Sequence, residues 1–239
     1  MRSCTFSVFG HIDKNIKGGM KMKYPQLNAQ RQMQKKKSFI RFFNAVPSDP
    51  ALSMDVYVNG KLIVKDLKYQ DFTQYLAAKP GSYIIKLYPT GNTTDQLLEM
   101  HITVGEGSIY TQAIIGTSEN ITLELFEDIP VAEPNDEYSY MRFINLSPSD
   151  DGLNISVDNT PVVYDLRYTE VTDYLQLTAG KHTMKINLTS NGRQVVSHPN
   201  LVLKPKYSYT CYAVGLTDGK PFIEVVIPLE GPSYIDTSK

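Results

Sequence analysis

Residues 40–49 (IRFFNAVPSD) return as 141–150 (MRFINLSPSD) at an offset of 101, and a longer stretch from Val56 onward returns at an offset of 99. Asp66, Leu67, Tyr69, Thr73, Tyr75 and Leu76 in the first stretch match Asp165, Leu166, Tyr168, Thr172, Tyr174 and Leu175 in the second. Tyr110, Thr111 and Gly116 match Tyr209, Thr210 and Gly215 at the same offset. Order and spacing this constant mean two copies of one unit, and a 239-residue chain is long enough for two domains of about 100 residues each. The boundaries this sets are a first repeat over 38–130, a linker containing proline and acids over 131–138, a second repeat over 139–230 and a tail over 231–239.

Within each copy the apolar residues recur every second position. Val56 and Val58, then Ile63 and Val64, flank Asn59-Gly60, a dipeptide suited to the positive φ angles of a tight hairpin. Tyr83–Tyr88, Leu97–Val104, Ser108–Ile115 and Ile121–Phe126 are rich in β-branched and aromatic side chains and are separated by polar turn clusters. No segment carries a long amphipathic helical pattern; Asp71–Ala78 has room for one turn. The expected fold is all-β, with two tandem immunoglobulin-like or transthyretin-like antiparallel sandwiches of about seven strands each. A unit of this size stabilises itself by packing, without metal or disulfide.

Charge is unevenly placed. Residues 1–37 hold nine basic side chains against the single acid Asp13, while the whole chain is at −1, so the remainder carries −9. A basic arm on an acidic body suits contact with nucleic acid, an anionic polymer or a neighbouring copy; the chain carries no phosphate-cradling glycine motif, and nucleic acid is not the expected partner. Residues 3–12 are broken by Gly10 and His11 and do not form the apolar core of an export signal, whether translation starts at Met1, Met20 or Met22. This leaves the cytoplasm, or a cell or spore surface reached by a non-classical route, as the expected location. No apolar run is long enough to cross a membrane as a helix.

The sequence RFFNAVPSDP, DVYVNG, DLKYQDFTQYL, PGSYIIKLYPTG and IYTQAIIG resembles the bacterial domain-of-unknown-function family 4397 over both copies. The resemblance implies envelope-associated or secreted β-sandwiches of the transthyretin-like kind, often in tandem and without established enzyme activity. The second copy departs where DVYVNG becomes NISVDNT and PGSY becomes AGKH.

Catalytic and metal motifs are weak. His11, His101, His182 and His198 lack metal-ligand spacing, and Cys4 and Cys211 cannot form a four-ligand zinc site. The PSDD loop at 148–151 offers too few oxygens for calcium and reads as a Ser/Asp turn. Cys211 lies in an apolar strand opposite Gln112 of the first copy, so the repeat requires no thiol there. No catalytic residue, cofactor or metal ligand is assigned, and the expected function is not enzymatic. The candidate latch or partner-binding residues are those that recur: Arg41, Asp66, Tyr69 and Tyr75, with Arg142, Asp165, Tyr168 and Tyr174. Asp66 and Asp165 are expected to pair with Arg41 and Arg142, and the tyrosines to act as inter-strand corners or as a platform for a glycan or protein. The functional expectation is a surface-associated structural or adhesion module that binds protein or surface polymer and self-associates through sheet edges. The alternative is an intracellular protein that binds carbohydrate or another small ligand.

Overall fold

Ile40 and Phe42 lie on one face of the first strand and Arg41 and Phe43 on the other, yet all four are buried. A strand covered on both sides belongs to a sheet sandwiched between two layers. The computed structural model, which describes residues 36–48, 51–130 and 134–237, shows which layers these are. The basic segment up to Lys35, Asp49 and Pro50 of the first PSDP loop, and residues 131–133 of the expected linker lie outside the described residues.

The first repeat comprises β1 (Ser38–Asn44), β2 (Ser53–Val58), β3 (Lys61–Lys68), β4 (Leu76–Ala78), β5 (Gly81–Pro89), β6 (Leu98–Val104), β7 (Ile109–Thr117) and β8 (Asn120–Glu127). The second comprises β9 (Tyr138–Asn145), β10 (Leu153–Val157), β11 (Thr160–Leu166), β12 (Leu175–Thr178), β13 (Gly180–Leu188), β14 (Gln194–Leu203), β15 (Ser208–Val214) and β16 (Glu224–Val226). Each repeat has an inner sheet, ordered β4-β1-β7-β8 or β12-β9-β15-β16, and an outer sheet, ordered β3-β2-β5-β6 or β11-β10-β13-β14. The two topologies are the same, as the duplication requires, and each repeat is a β-sandwich. Among the described residues a repeat therefore has eight strands, and β1 with β7 and β9 with β15 pair in parallel. The strand beyond the expected seven is β4, in the segment read as room for a helical turn. There Thr73 donates its N–H to the Phe42 carbonyl and accepts the Phe42 N–H on its hydroxyl (2.9 Å each), which commits the chain to the edge of β1.

The repeated residues have identifiable structural work. Asn59-Gly60 turns with φ of 48° and 77°, and Asp158-Asn159 makes the same turn at 50° and 63°, so the second hairpin survives the loss of glycine. Asn44 and Asn145 are fully buried; each accepts the N–H two residues on and donates its amide to the carbonyl of Leu67 or Leu166. A buried carboxamide satisfied on both ends ties the loop after the first strand to the outer sheet.

Three apolar clusters form. Ile40, Phe42, Val56, Ile85, Leu87 and Ile114 fill the first sandwich. Met141, Phe143, Ile155, Met184, Ile186 and Cys211 fill the second. The third lies between the inner sheets and joins Phe43, Ala113, Ile115 and Phe126 to Ile144, Leu146, Tyr212 and Val214. The two described repeats thus stack four sheets deep: each has its own core, and the apolar outward face of its inner sheet packs against the other copy. The contact is asymmetric in shape. Tyr212, fully buried, packs against Phe43 and Phe72 of the first repeat with ring centroids 5.0 and 5.7 Å away, while the repeat equivalent of Tyr212 is the small Ala113.

Truncating this wedge leaves a large void between the sheets. Tyr212→Ala is expected to cost about 3–5 kcal/mol, the range for deleting a buried aromatic ring, as read from chemical denaturation.

Candidate functional site

Alternation along β1 and β9 sends Arg41 and Arg142 not into their own sandwiches but toward the other repeat, where they are 3% and 4% exposed. Parallel pairing places Thr111 beside Arg41 and Thr210 beside Arg142. Each arginine donates from Nε to the threonine hydroxyl at 2.9 Å. Just beyond β8, Asp128 is held by its N–H to the Ile109 carbonyl (2.8 Å), and Glu230 is held in the same way to Ser208 (3.0 Å). These carboxylates are 1% and 0% exposed.

The two halves interlock. Arg41 Nη1 donates to the Leu229 carbonyl of the second repeat (3.1 Å), and Arg142 Nη1 donates to the Glu127 carbonyl of the first (2.7 Å). Arg142 Nη2 lies 2.8 Å from Asp128 and 3.0 Å from Glu230, bridging both carboxylates. Tyr75 donates its hydroxyl to Asp128, and Tyr174 donates its own to Glu230. Thr111 and Thr210 donate to the same two carboxylates. Arg41 forms no ion pair within 4.0 Å among the described residues; its guanidinium stacks 4.7 Å from the Phe72 ring and 4.6 Å from the Tyr75 ring. The charges balance as two guanidiniums and two carboxylates.

Burial pushes Asp128 above the usual carboxylate range despite the opposing pull of Arg41, and it raises Glu230 in the same way against Arg142. The phenols of Tyr75 and Tyr174 are driven far upward, first by burial and then by the adjacent carboxylates, so they remain neutral donors. Paired carboxylates with raised pKa values are the raw material of general acid/base chemistry. Here every carboxylate oxygen is turned into protein and solvent is excluded, so the arrangement acts as a clamp between repeats.

Of the candidate residues, the structure brings Arg41, Tyr75, Arg142 and Tyr174 together in this knot. Asp66 and Asp165 are not in it, and the expected pairing with the arginines is corrected. They sit on β3 and β11 where the ladder bulges, with φ of 57° and 50°, and their side chains meet Lys68 (3.8 Å) and Arg167 (2.7 Å) at the surface. Aspartate recurs there because its short polar side chain tolerates left-handed backbone in a bulge. Tyr69 and Tyr168 pack on the rim of the third apolar cluster. Sequence reasoning missed Asp128 and Glu230. Thr111 and Thr210 were visible as recurring residues but carried no assigned role.

Other side chains are occupied structurally. Cys211 is 1% exposed, with Sγ 3.9 Å from the Met184 sulfur, and burial pushes its thiol up and away from reactivity. Asp151 of the PSDD loop accepts from the Ser190 N–H (3.1 Å) and hydroxyl (2.6 Å), as a turn residue does. His182 lies 2.7 Å from both Asp158 and the Thr178 carbonyl.

Arg142 neutralises two buried acids, so Arg142→Met is expected to cost about 3–5 kcal/mol at neutral pH, and more than Arg41→Met. Because folding raises both carboxyl pKa values, the stability these groups contribute is present below their ordinary value of about 4 and is lost as pH rises through the raised folded values. Removing Arg142 widens that window. The deficit of the variant should therefore shrink on acidification toward the ordinary carboxylate range, as followed by denaturation at a series of pH values.

Comparison with known proteins adds the family. No curated protein matches the sequence. Among solved structures, a family 26 carbohydrate-binding module from Eubacterium rectale Amy13K, in complex with maltoheptaose, aligns over 82% of this chain and 99% of its own at 12% identity and a TM-score of 0.25. The fimbrial anchor protein Mfa2 from Porphyromonas gingivalis aligns over 82% and 98% at 12% identity and a TM-score of 0.24. Likenesses this slight carry no argument about fold or function. The domain of unknown function DUF4397, by contrast, matches residues 38–150 and again 139–228, the second match beginning within β9, where the arginine-bearing strand recurs. Two matches that span both sandwiches place this chain in the DUF4397 family.

Proposed function

We propose that the protein is a non-catalytic, surface-associated adhesion or assembly module. The observation that supports this reading most directly is the interlocked knot, which joins the inner sheets of the two sandwiches and leaves each outer sheet on the far side of its own core. A unit of this kind can hold one partner on each outer face. The carboxylates that would otherwise suggest hydrolytic chemistry are spent on the clamp. Protein or a surface polymer is the partner class, with the basic N-terminal residues as a second, electrostatic contact.

One outer face favours a more specific second reading, the binding of carbohydrate. Tyr164 on β11 is 73% exposed and borders a shallow depression of about 480 Å³ with Asn154, Ser156, Lys185, Asn187 and Gln194. A flat ring that can stack on a sugar, set among amides and a hydroxyl, is the usual composition of a glycan-binding surface.

Fractionating the native cells and detecting the protein with an antibody tests the first reading. It is expected in the surface fraction, and release by deletion of residues 1–37 with the fold intact would assign attachment to the basic segment. Recovery solely as a soluble cytosolic monomer would overturn the reading. Tyr164→Ala, at an exposed site, is expected to change stability by less than about 0.5 kcal/mol and to abolish retention on immobilised polysaccharide. Retention equal to that of the parent chain would reject the carbohydrate reading.

A further inference from the structure

The two repeats differ in one place that their mutual packing does not explain. In the first sandwich, on the side of the inner sheet facing away from the second repeat, a cavity of about 340 Å³ opens at one end between the sheets. Its walls are core side chains, Ile40 and Phe42 from β1 and Ile85 and Ile102 from β5 and β6, none more than 9% exposed. Its mouth is framed by Asn59, Lys79 and Tyr83. Lys79 is the sole charged side chain among the described lining residues, and it forms no ion pair among them.

The second repeat supplies an internal comparison, since strand order is the same there and the register differs between β13 and β14 only by irregularities after His182 and Ile186. The residue equivalent to Ala78 is Leu177, which packs into the second core; those equivalent to Ile40 and Ile85 are the longer Met141 and Met184. At the mouth, His182 replaces Tyr83 and is pinned across the opening by Asp158 and the Thr178 carbonyl, while Thr178 replaces Lys79. Tyr83 makes the equivalent bond to the Lys79 carbonyl (2.7 Å) and packs partly against the first core. The second repeat thus carries larger side chains at this end, whereas the first leaves a cavity there although an unfilled apolar cavity weakens a core.

We infer that the open end of the first sandwich is a binding site for an anionic single-chain amphiphile of the medium-chain fatty acid class. Its aliphatic tail lies among Ile40, Phe42, Ile85 and Ile102, and its carboxylate meets Lys79 at the mouth. A space of this size is at the small end of ligand pockets, which suits a single flexible chain better than a ring system. An apolar wall favours the tail through the area it removes from water, and a single unpaired cation at the rim selects the sign of the head. The site lies in the first sandwich alone and is independent of the adhesion reading.

The test is calorimetric titration of the full chain with decanoate and with decanol, supported by displacement of the fluorescent probe anilinonaphthalene sulfonate. The parent chain is expected to bind decanoate at about one molecule per chain and to release the probe as it does so. Ala78→Leu, which copies the second repeat, is expected to weaken decanoate binding by at least about tenfold while keeping or raising the melting temperature. Lys79→Thr, at the exposed mouth and tolerable to the fold, is expected to weaken decanoate about fivefold and leave decanol unchanged. Failure of the parent chain to bind decanoate, or equal affinity in a folded Ala78→Leu variant, would overturn the site. Equal loss of decanoate and decanol affinity in Lys79→Thr would overturn the assignment of an anionic head.

Discussion

Four charges buried between two sheets set the terms for everything else in this protein. A guanidinium or carboxylate taken out of water is costly unless it is paired and its remaining hydrogen-bond positions are filled. Neither repeat can meet that condition alone. Arg41 reaches the Leu229 carbonyl and Arg142 reaches the Glu127 carbonyl, so each arginine takes a main-chain acceptor from the other copy, although Arg41 Nη2 is left buried without a hydrogen-bond partner. An isolated repeat would expose an apolar sheet face with an arginine and a carboxylate at its centre. Duplication within one chain solves that problem by holding the matching face at high effective concentration.

The knot also accounts for where aromatic residues cluster. Phe43 and Phe72 stack face to face with centroids 3.9 Å apart, and the Arg41 guanidinium lies over the second of these rings. Tyr212 closes the other side of the same group, its phenol pushed up to about 12 by burial. Apolar packing keeps water away from the charges, and the charges fix the register in which the apolar surfaces meet. Arg142 takes both carboxylates and Arg41 neither within ion-pair distance, so the pseudo-two-fold relation holds for the scaffold and breaks at the centre.

Much of this was legible in the sequence because duplication displays each structural residue twice. The buried asparagines and the arginine and tyrosine of each knot half all appear as matched positions, and Asn59-Gly60 marks its hairpin by turn chemistry in the first copy alone. The acid partner was misread for a physical reason. Asp66 and Asp165 recur identically, but what selects them is left-handed backbone at a bulge, which needs aspartate as a conformer and not as a charge. The true partners escape an identity comparison on two counts: one is aspartate and the other glutamate, and β8 runs for eight residues where β16 runs for three, so they fall at a different offset from the strands before them. The crossing of each arginine to the other copy has no signature in either copy taken alone.

Where the copies diverge, two pressures can be told apart by position. Ala113 against Tyr212 lies at the contact between inner sheets, where one copy must bulge and the other recede for the surfaces to fit. Ala78 against Leu177 lies on the opposite face of the inner sheet, inside a sandwich, where no second repeat is in contact. Shape complementarity between repeats cannot favour a smaller residue there, and close packing of the core disfavours it. A residue that loosens its own core, beside a mouth framed by an unpaired lysine, is accounted for by what the space admits.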